Sequence, residues 1–313
     1  MFLLFPGQGS QKPGMAKDLA AAFPAARDVF DRADAALGTK LSTLCFDGPA
    51  DELTLTHNAQ PALLTHGAAV WAVVKDKLAA RVKGAAGHSL GEFSAYHAAG
   101  ALPLEDAVRL VRRRGELMYE TGVTVPGAMA AILGELQRPI EEICREASAH
   151  GVCVPANYNS TEQIVISGEV SAVEAGMDLA KAAGAKRAIR LPVSGAFHSP
   201  LMQPAAAGLA EALDAAQWRA PAVPIWSNVT GEAVGDAATA RDLLLKQLTS
   251  PVRWIELMRN AAARFPGTTF VEMGPGAVLS GLAKRLAPEC RTMTCGTVAE
   301  VEALLNIEST HAH

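Results

Sequence analysis

The sequence predicts an α/β protein in which a parallel sheet wrapped by helices is interrupted by a smaller ferredoxin-like unit. Two observations carry this reading. Apolar strand-like runs alternate with helical patterns towards both ends of the chain, whereas the middle reads β-α-β-β-α-β. Half of the 313 residues are hydrophobic and only 5% are aromatic, a balance suited to small, tightly packed helices over a sheet.

The opening Met1-Phe2-Leu3-Leu4-Phe5 has no basic region before it and runs at once into Pro6-Gly7, so it reads as a short buried strand and not as a signal peptide. A helix is expected over about 61–80. Residues 56–74 carry no formal charge, but His57, Asn58, Gln60, Pro61 and His66 suit a core helix better than a bilayer span. A strand at 82–86 and helices on either side of Pro103 follow. The middle then gives a strand at 128–133, a helix at 138–149, strands at 152–156 and 163–167, a helix at 171–183 and a strand at 186–191. That order buries one face of a four-stranded antiparallel sheet under two helices. It implies an insertion near 125–192 inside a larger domain made of 1–124 and 193–313. A late strand at 268–273 leads into another helix, and the tail after Asn306, ending His311-Ala312-His313, is expected to fray.

Lys and Arg number 28 against 32 Asp and Glu, and the two signs are interspersed, so no overall field favours nucleic acid or an acidic membrane. Cys45, Cys144, Cys153, Cys290 and Cys295 are odd in number and form no C-x-x-C pair, which argues against a disulfide framework and against structural zinc. Reduced thiols, a cytoplasmic location and no metal are expected.

Gly87-His88-Ser89-Leu90-Gly91 matches G-x-S-x-G, with an apolar strand before it and a helical stretch after it. The glycines permit a sharp strand-to-helix turn that brings the Ser89 hydroxyl to the sheet surface, with the Leu90 N–H at the helix start aimed at a developing oxyanion. An ordinary glycine-rich turn is the plain alternative. His88 adjoins Ser89 but should project away from it, so the base should come from elsewhere.

In the helical pattern from Leu104 to Glu120, residues Ala107, Leu110, Val111, Leu117 and Met118 fall within about 60° of Arg114 at about 100° per residue. Arg114 thus sits mid-stripe on the apolar face, while Arg112 and Arg113 point away and are expected to be solvated. A guanidinium cannot shed its proton, so a buried one needs an anionic partner. A structural carboxylate and the carboxylate of a substrate both meet that need.

Four motifs occur in order: Phe5-Pro6-Gly7-Gln8-Gly9-Ser10-Gln11, Gly87-His88-Ser89-Leu90-Gly91-Glu92, Gly195-Ala196-Phe197-His198-Ser199 and Gln247-Leu248-Thr249-Ser250-Pro251-Val252. Together with Glu272-Met273-Gly274-Pro275-Gly276 they make nearly the whole chain resemble malonyl-CoA:acyl carrier protein transacylases. The resemblance implies an α/β-hydrolase-like large domain with a ferredoxin-like subdomain. It implies Ser89 as nucleophile, His198 as base, backbone N–H donors from Gln8 and Leu90, and Gln247 holding His198 through its main-chain carbonyl. It assigns Arg114 to the malonyl carboxylate, and Phe197 beside the base would crowd a branched acyl group. Malonyl-CoA and a holo acyl carrier protein are the implied partners of a monomer without metal or redox cofactor. Lys181, Lys186, Arg187, Arg190, Lys284 and Arg285 are candidates for meeting the acidic carrier. A hydrolase sharing the elbow, or a non-catalytic docking module, are the rival readings.

Overall fold

Strand β1 (Phe2–Phe5) is buried at all four positions, as a continuous apolar run is when both faces of a sheet are covered. The structure, a computed structural model, describes residues 1–193 and 195–310, with side chains through 306. After β1 come four helices in a stretch to which the sequence assigns no element: α1 (Lys17–Ala22), α2 (Pro24–Leu37), α3 (Leu41–Asp47) and α4 (Ala50–Thr54). Helix α5 (Thr56–Leu78) begins before the expected position and carries Pro61 inside it. A proline there removes one helical hydrogen bond. Burial of nearly every residue from Ala59 to Val70 holds the turn ahead of it, so packing overrides the local stop signal. Strand β2 (Gly84–Gly87) leads into α6 (Leu90–Ala98), and Pro103 stands just before α7 (Leu104–Thr124).

The middle segment forms β3 (Ala128–Leu133), α8 (Ile140–Ala147), β4 (Cys153–Ser160), β5 (Gln163–Gly168), α9 (Val170–Ala182) and β6 (Arg187–Arg190). Its sheet is ordered β4-β5-β3-β6 with every neighbour antiparallel. Ile143, Ala147, Val173 and Ala180 from the two helices pack on Ala130, Ile132 and Ile166, the ferredoxin-like arrangement. Strand β4 runs past its expected end through two register shifts. That extension meets the rest of the chain, where Tyr158 N–H donates to the Val252 carbonyl at 2.9 Å.

The remainder supplies α10 (Ala206–Ala215), β7 (Ile225–Trp226), β8 (Ala233–Val234), α11 (Ala237–Gln247), α12 (Trp254–Arg264), β9 (Thr269–Met273), α13 (Val278–Leu286), β10 (Arg291–Cys295) and α14 (Val298–Thr310). The first sheet is ordered β10-β9-β1-β2-β7-β8 and is parallel except for the β7–β8 pair. Helix, and not fraying, follows Asn306 as far as Thr310; His311 to His313 lie outside the described residues. Among the described residues no helix is long and apolar enough to cross a membrane. No cluster of three or more His, Cys, Asp or Glu there could hold a metal ion.

Parallel pairing of β1 and β2 sets Phe5 opposite Gly87, so the segments leaving the carboxyl ends of both strands emerge side by side. Crevices at such ends are where open α/β sheets place ligands.

Candidate active site

A sharp turn joins β2 to α6. Ser89 occupies it with φ 52° and ψ −108°, an unfavourable backbone for a residue with a Cβ. The flanking glycines explain how the turn closes: a Cβ on Gly87 would lie 1.8 Å from the Gly91 carbonyl carbon, and one on Gly91 would lie 2.1 Å from the Phe5 oxygen. The bend is pinned from outside by Asn228, whose Oδ1 accepts from Ser89 N–H at 2.7 Å and whose Nδ2 donates to the Gly87 carbonyl at 2.7 Å.

His198 arrives from the loop before a short 3-10 turn, Pro200–Ala205, itself capped by the Ser199 hydroxyl. Its Nδ1 lies 2.9 Å from the Gln247 main-chain carbonyl and its Nε2 2.8 Å from Ser89 Oγ. A carbonyl only accepts, so Nδ1 carries the proton, and Ser89 Oγ–H donates to a bare Nε2. Burial, followed by the Arg114 charge, lowers the His198 pKa to about 3. The imidazole is therefore neutral at rest and free to take a proton.

His88 turns away from this pair. Its ring donates from Nε2 to Asn159 Oδ1 at 2.7 Å and packs against Trp254, the structural part expected of it.

Arg114 is 1% exposed. Its Nη1 donates to Gln60 Oε1 at 2.7 Å, and its Nη2 donates to Gln247 Oε1 at 3.0 Å and to Ser89 Oγ at 3.1 Å. Among the described residues no carboxylate makes an ion pair with it, and Nε has no hydrogen-bond partner. The protein-carboxylate alternative thus fails as a direct contact: the cation is held by neutral oxygens, the Ser89 hydroxyl among them. Arg112 departs from expectation. It is partly buried and donates to Asn58 Oδ1 at 2.6 Å, because α5 packs along α7 on that side. Arg113 is exposed, near Glu116 and Glu120.

These groups open into a cavity of about 410 Å³ lined by Gln8, Ser89, Leu90, Arg114, Phe197 and His198, among others. Leu90 is the first residue of α6, where a backbone N–H has no intrahelical acceptor. The Gln8 side chain is fixed by the Thr56 hydroxyl at 2.8 Å. Phe197, 5% exposed, forms part of the wall.

Residues 2–301 match the family described as acyl transferase domain. The malonyl CoA-acyl carrier protein transacylase of Bacillus subtilis (strain 168) is 48% identical over 96% of this chain and 94% of its own length. The chain belongs to the malonyl CoA-acyl carrier protein transacylases, a family of acyltransferase enzymes. The crystal structure of the acyl-carrier-protein S-malonyltransferase from Bartonella henselae superimposes with a TM-score of 0.94 at 46% identity, covering 98% of each chain. A malonyl-transacylase solved in complex with a holo type II PKS acyl-carrier protein has a TM-score of 0.93 at 40% identity, covering 98% of this chain and 99% of that one.

Against this transacylase frame, the six basic candidates do not form one patch. Arg187 and Arg190 lie on β6, one edge of the four-stranded sheet, and the chain leaving β6 lines the cavity through Leu191, Pro192 and Val193. Lys284 and Arg285 lie on α13, which packs near β4 at the opposite edge. Other side chains of the site receive no role from the sequence. Glu92, Gln60, Asn159 and Asn228 all bond to its residues, and only Glu92 left a trace, as the one carboxylate in the apolar stretch of α6.

Proposed function

We propose that this protein transfers a malonyl group from malonyl-CoA to the phosphopantetheine thiol of an acyl carrier protein by a ping-pong route through a Ser89 ester. The observation that carries this reading is Arg114: a buried guanidinium with only neutral partners, 3.1 Å from the nucleophile. A planar fork in that position grips a carboxylate with two charge-assisted hydrogen bonds, and malonyl-CoA is a thioester that carries one.

With the acyl carboxylate on Arg114, the thioester carbonyl comes to Ser89, and the N–H groups of Gln8 and Leu90 receive the developing oxyanion. As the Oγ–C bond forms, His198 Nε2 takes the Ser89 proton; the imidazolium is held by its Nδ1–H bond to the Gln247 carbonyl. Collapse of the tetrahedral species breaks the C–S bond, and His198 returns the proton to the departing CoA sulfur. After CoA leaves, His198 takes the proton of the carrier thiol, the new C–S bond forms, and Ser89 Oγ departs with that proton. Arg114 donates to Ser89 Oγ at rest, so engagement of the malonyl carboxylate also draws the guanidinium off the nucleophile.

Phe197, in the cavity wall, disfavours a methyl branch, an effect of about 1–3 kcal/mol and so a preference. Arg187 and Arg190 border the segment that enters the cavity and suit an acidic carrier, with the enzyme acting as a monomer.

The test is transfer at steady state: malonyl-CoA, the protein and a holo carrier protein are combined, and the carrier is weighed by mass spectrometry. The expected result is a malonyl carrier thioester that vanishes with Ser89→Ala. Free malonate without carrier loading would instead identify a hydrolase.

A further inference from the structure

Glu92 lies one turn beyond Ser89 on α6 and is fully buried. Its Oε2 accepts from Gln247 Nε2 at 2.7 Å and from Asn228 N–H at 3.1 Å. The Gln247 amide on the other side of that bond touches two further groups of the site. Its Nε2 also donates to the Ser89 carbonyl at 3.1 Å, and its Oε1 accepts from Arg114 Nη2 at 3.0 Å.

An amide presents a donor at one end and an acceptor at the other, and little in the side chain itself decides which end points where. A carboxylate only accepts. The shortest contact of the Gln247 amide is the one to Glu92, and the Oε2 that receives it is an acceptor with a second donor, Asn228 N–H, already fixed on it. Were the amide reversed, its NH2 would face the guanidinium and the Gln247 bond to Arg114, one of three that the guanidinium makes, would become a clash of donors. Asn228 ties the same carboxylate to the elbow, through its bond to Ser89 N–H.

We infer that Glu92 is a positioning residue: its carboxylate holds the Gln247 side chain with the amide oxygen turned to Arg114, and so holds the guanidinium ready for the acyl carboxylate. This rests on the reading of Arg114 as the carboxylate receptor. Glu92 does not touch the substrate; its effect is on discrimination between acyl groups that carry a carboxylate and those that do not. An acceptor oxygen at that place is the requirement, so Gln at position 92 serves and an apolar side chain of similar length does not.

The experiment measures the initial rate of Ser89 acylation, by intact mass, with malonyl-CoA and with acetyl-CoA, for the full chain and for Glu92→Gln, Glu92→Met, Glu92→Asp and Arg114→Ala. Glu92→Met is expected to lower the malonyl-to-acetyl ratio at least tenfold, and Glu92→Gln to keep it within about threefold. Glu92→Asp retains the charge but retracts it, and is expected to lower the ratio as well, which keeps the test alive should the Met variant fail to fold. A folded Glu92→Met or Glu92→Asp with an unchanged ratio, beside a collapsed ratio in Arg114→Ala, would overturn the inference alone. An unchanged ratio in Arg114→Ala would overturn the receptor reading and this inference together. A Glu92→Gln ratio as low as that of Glu92→Met would show that the charge, and not the acceptor, is what matters, and would also overturn it.

Discussion

Arg114 is the side chain that the fold alone does not account for. Burial pulls its pKa down to about 10 from the ordinary arginine value, and the group still stays cationic through the neutral range. Its hydrogen bonds satisfy geometry without supplying a contacting anion. Two charge-assisted bonds to a substrate carboxylate are worth about 3 kcal/mol or more, roughly a hundredfold in rate. Arg114→Ala is therefore expected to slow Ser89 acylation by malonyl-CoA about a hundredfold while leaving acylation by acetyl-CoA within a few-fold, measured by quenched-flow mass spectrometry. His198 gives a second expectation at this scale. Its pKa lies near 3, below the ordinary 6.5, first through burial and then through Arg114, so its neutral form persists as acid is added. Acylation by an uncharged acyl donor should stay level from pH 8 to pH 5, where an unperturbed histidine would lose most of its basicity. Ser89, His198 and Arg114 could be found in the sequence because each breaks a local rule or sits in a motif. Gln60, Asn159 and Asn228 could not: neutral amides carry no periodic signal, and they reach the site from segments far apart in the chain.

Among the elements, the β2-to-α6 elbow leaves the least room. A Cβ at Gly91 meets the backbone oxygen of Phe5, which is fixed by its pairing in β1 and by the His88 N–H bond to it at 3.0 Å. Neither side can yield without moving a central strand, so Gly91→Ala is expected to destabilise the fold by more than about 3 kcal/mol, read from urea unfolding. The elements that were clear from the sequence are β1, a continuous apolar run, α7, with its apolar stripe, and the six of the ferredoxin-like unit, whose order of elements gives them away even where, as in β6, the strand is largely exposed. Strands β7 and β8 are two residues long and have no period to read. Strand β10 is an edge with mixed polarity, Arg-Thr-Met-Thr-Cys, and gives no clear alternation. The start of α5 was hidden because Pro61 reads as a boundary locally, whereas tertiary burial carries the helix through it.

At the scale of the whole molecule, several histidines are folded in their neutral form. Burial lowers the pKa of His66 to about 4 and of His198 to about 3, and lowers His88 and His97 in the same direction. The unfolded chain binds protons at these sites near pH 6.5 and the folded one does not, so stability is lost as pH falls below 6.5 towards 4. Glu92 works the other way. Burial raises its pKa to about 7 from 4.5, so its protonation favours the fold over roughly the same range. His57 is lowered too, by burial and by Arg112, so one carboxyl opposes five imidazoles, and the net expectation is a melting temperature that declines from pH 7 to pH 4, checked by calorimetry; a rise over that interval would contradict it. The two-sheet plan was visible as a change of rhythm in the middle of the sequence. What ties the sheets together was not, because the β4 extension pairs with Val252 across a separation no local pattern spans.

Whether Ser89 carries the acyl group is read from the intact mass of the protein within seconds of mixing with malonyl-CoA, before any carrier is added. One malonyl group per chain is expected, located on the peptide containing Ser89, absent from Ser89→Ala, and discharged when holo carrier protein is supplied. A wild-type chain that loads the carrier while its own mass never changes would contradict it, because transfer would then be direct and the serine ester would not exist.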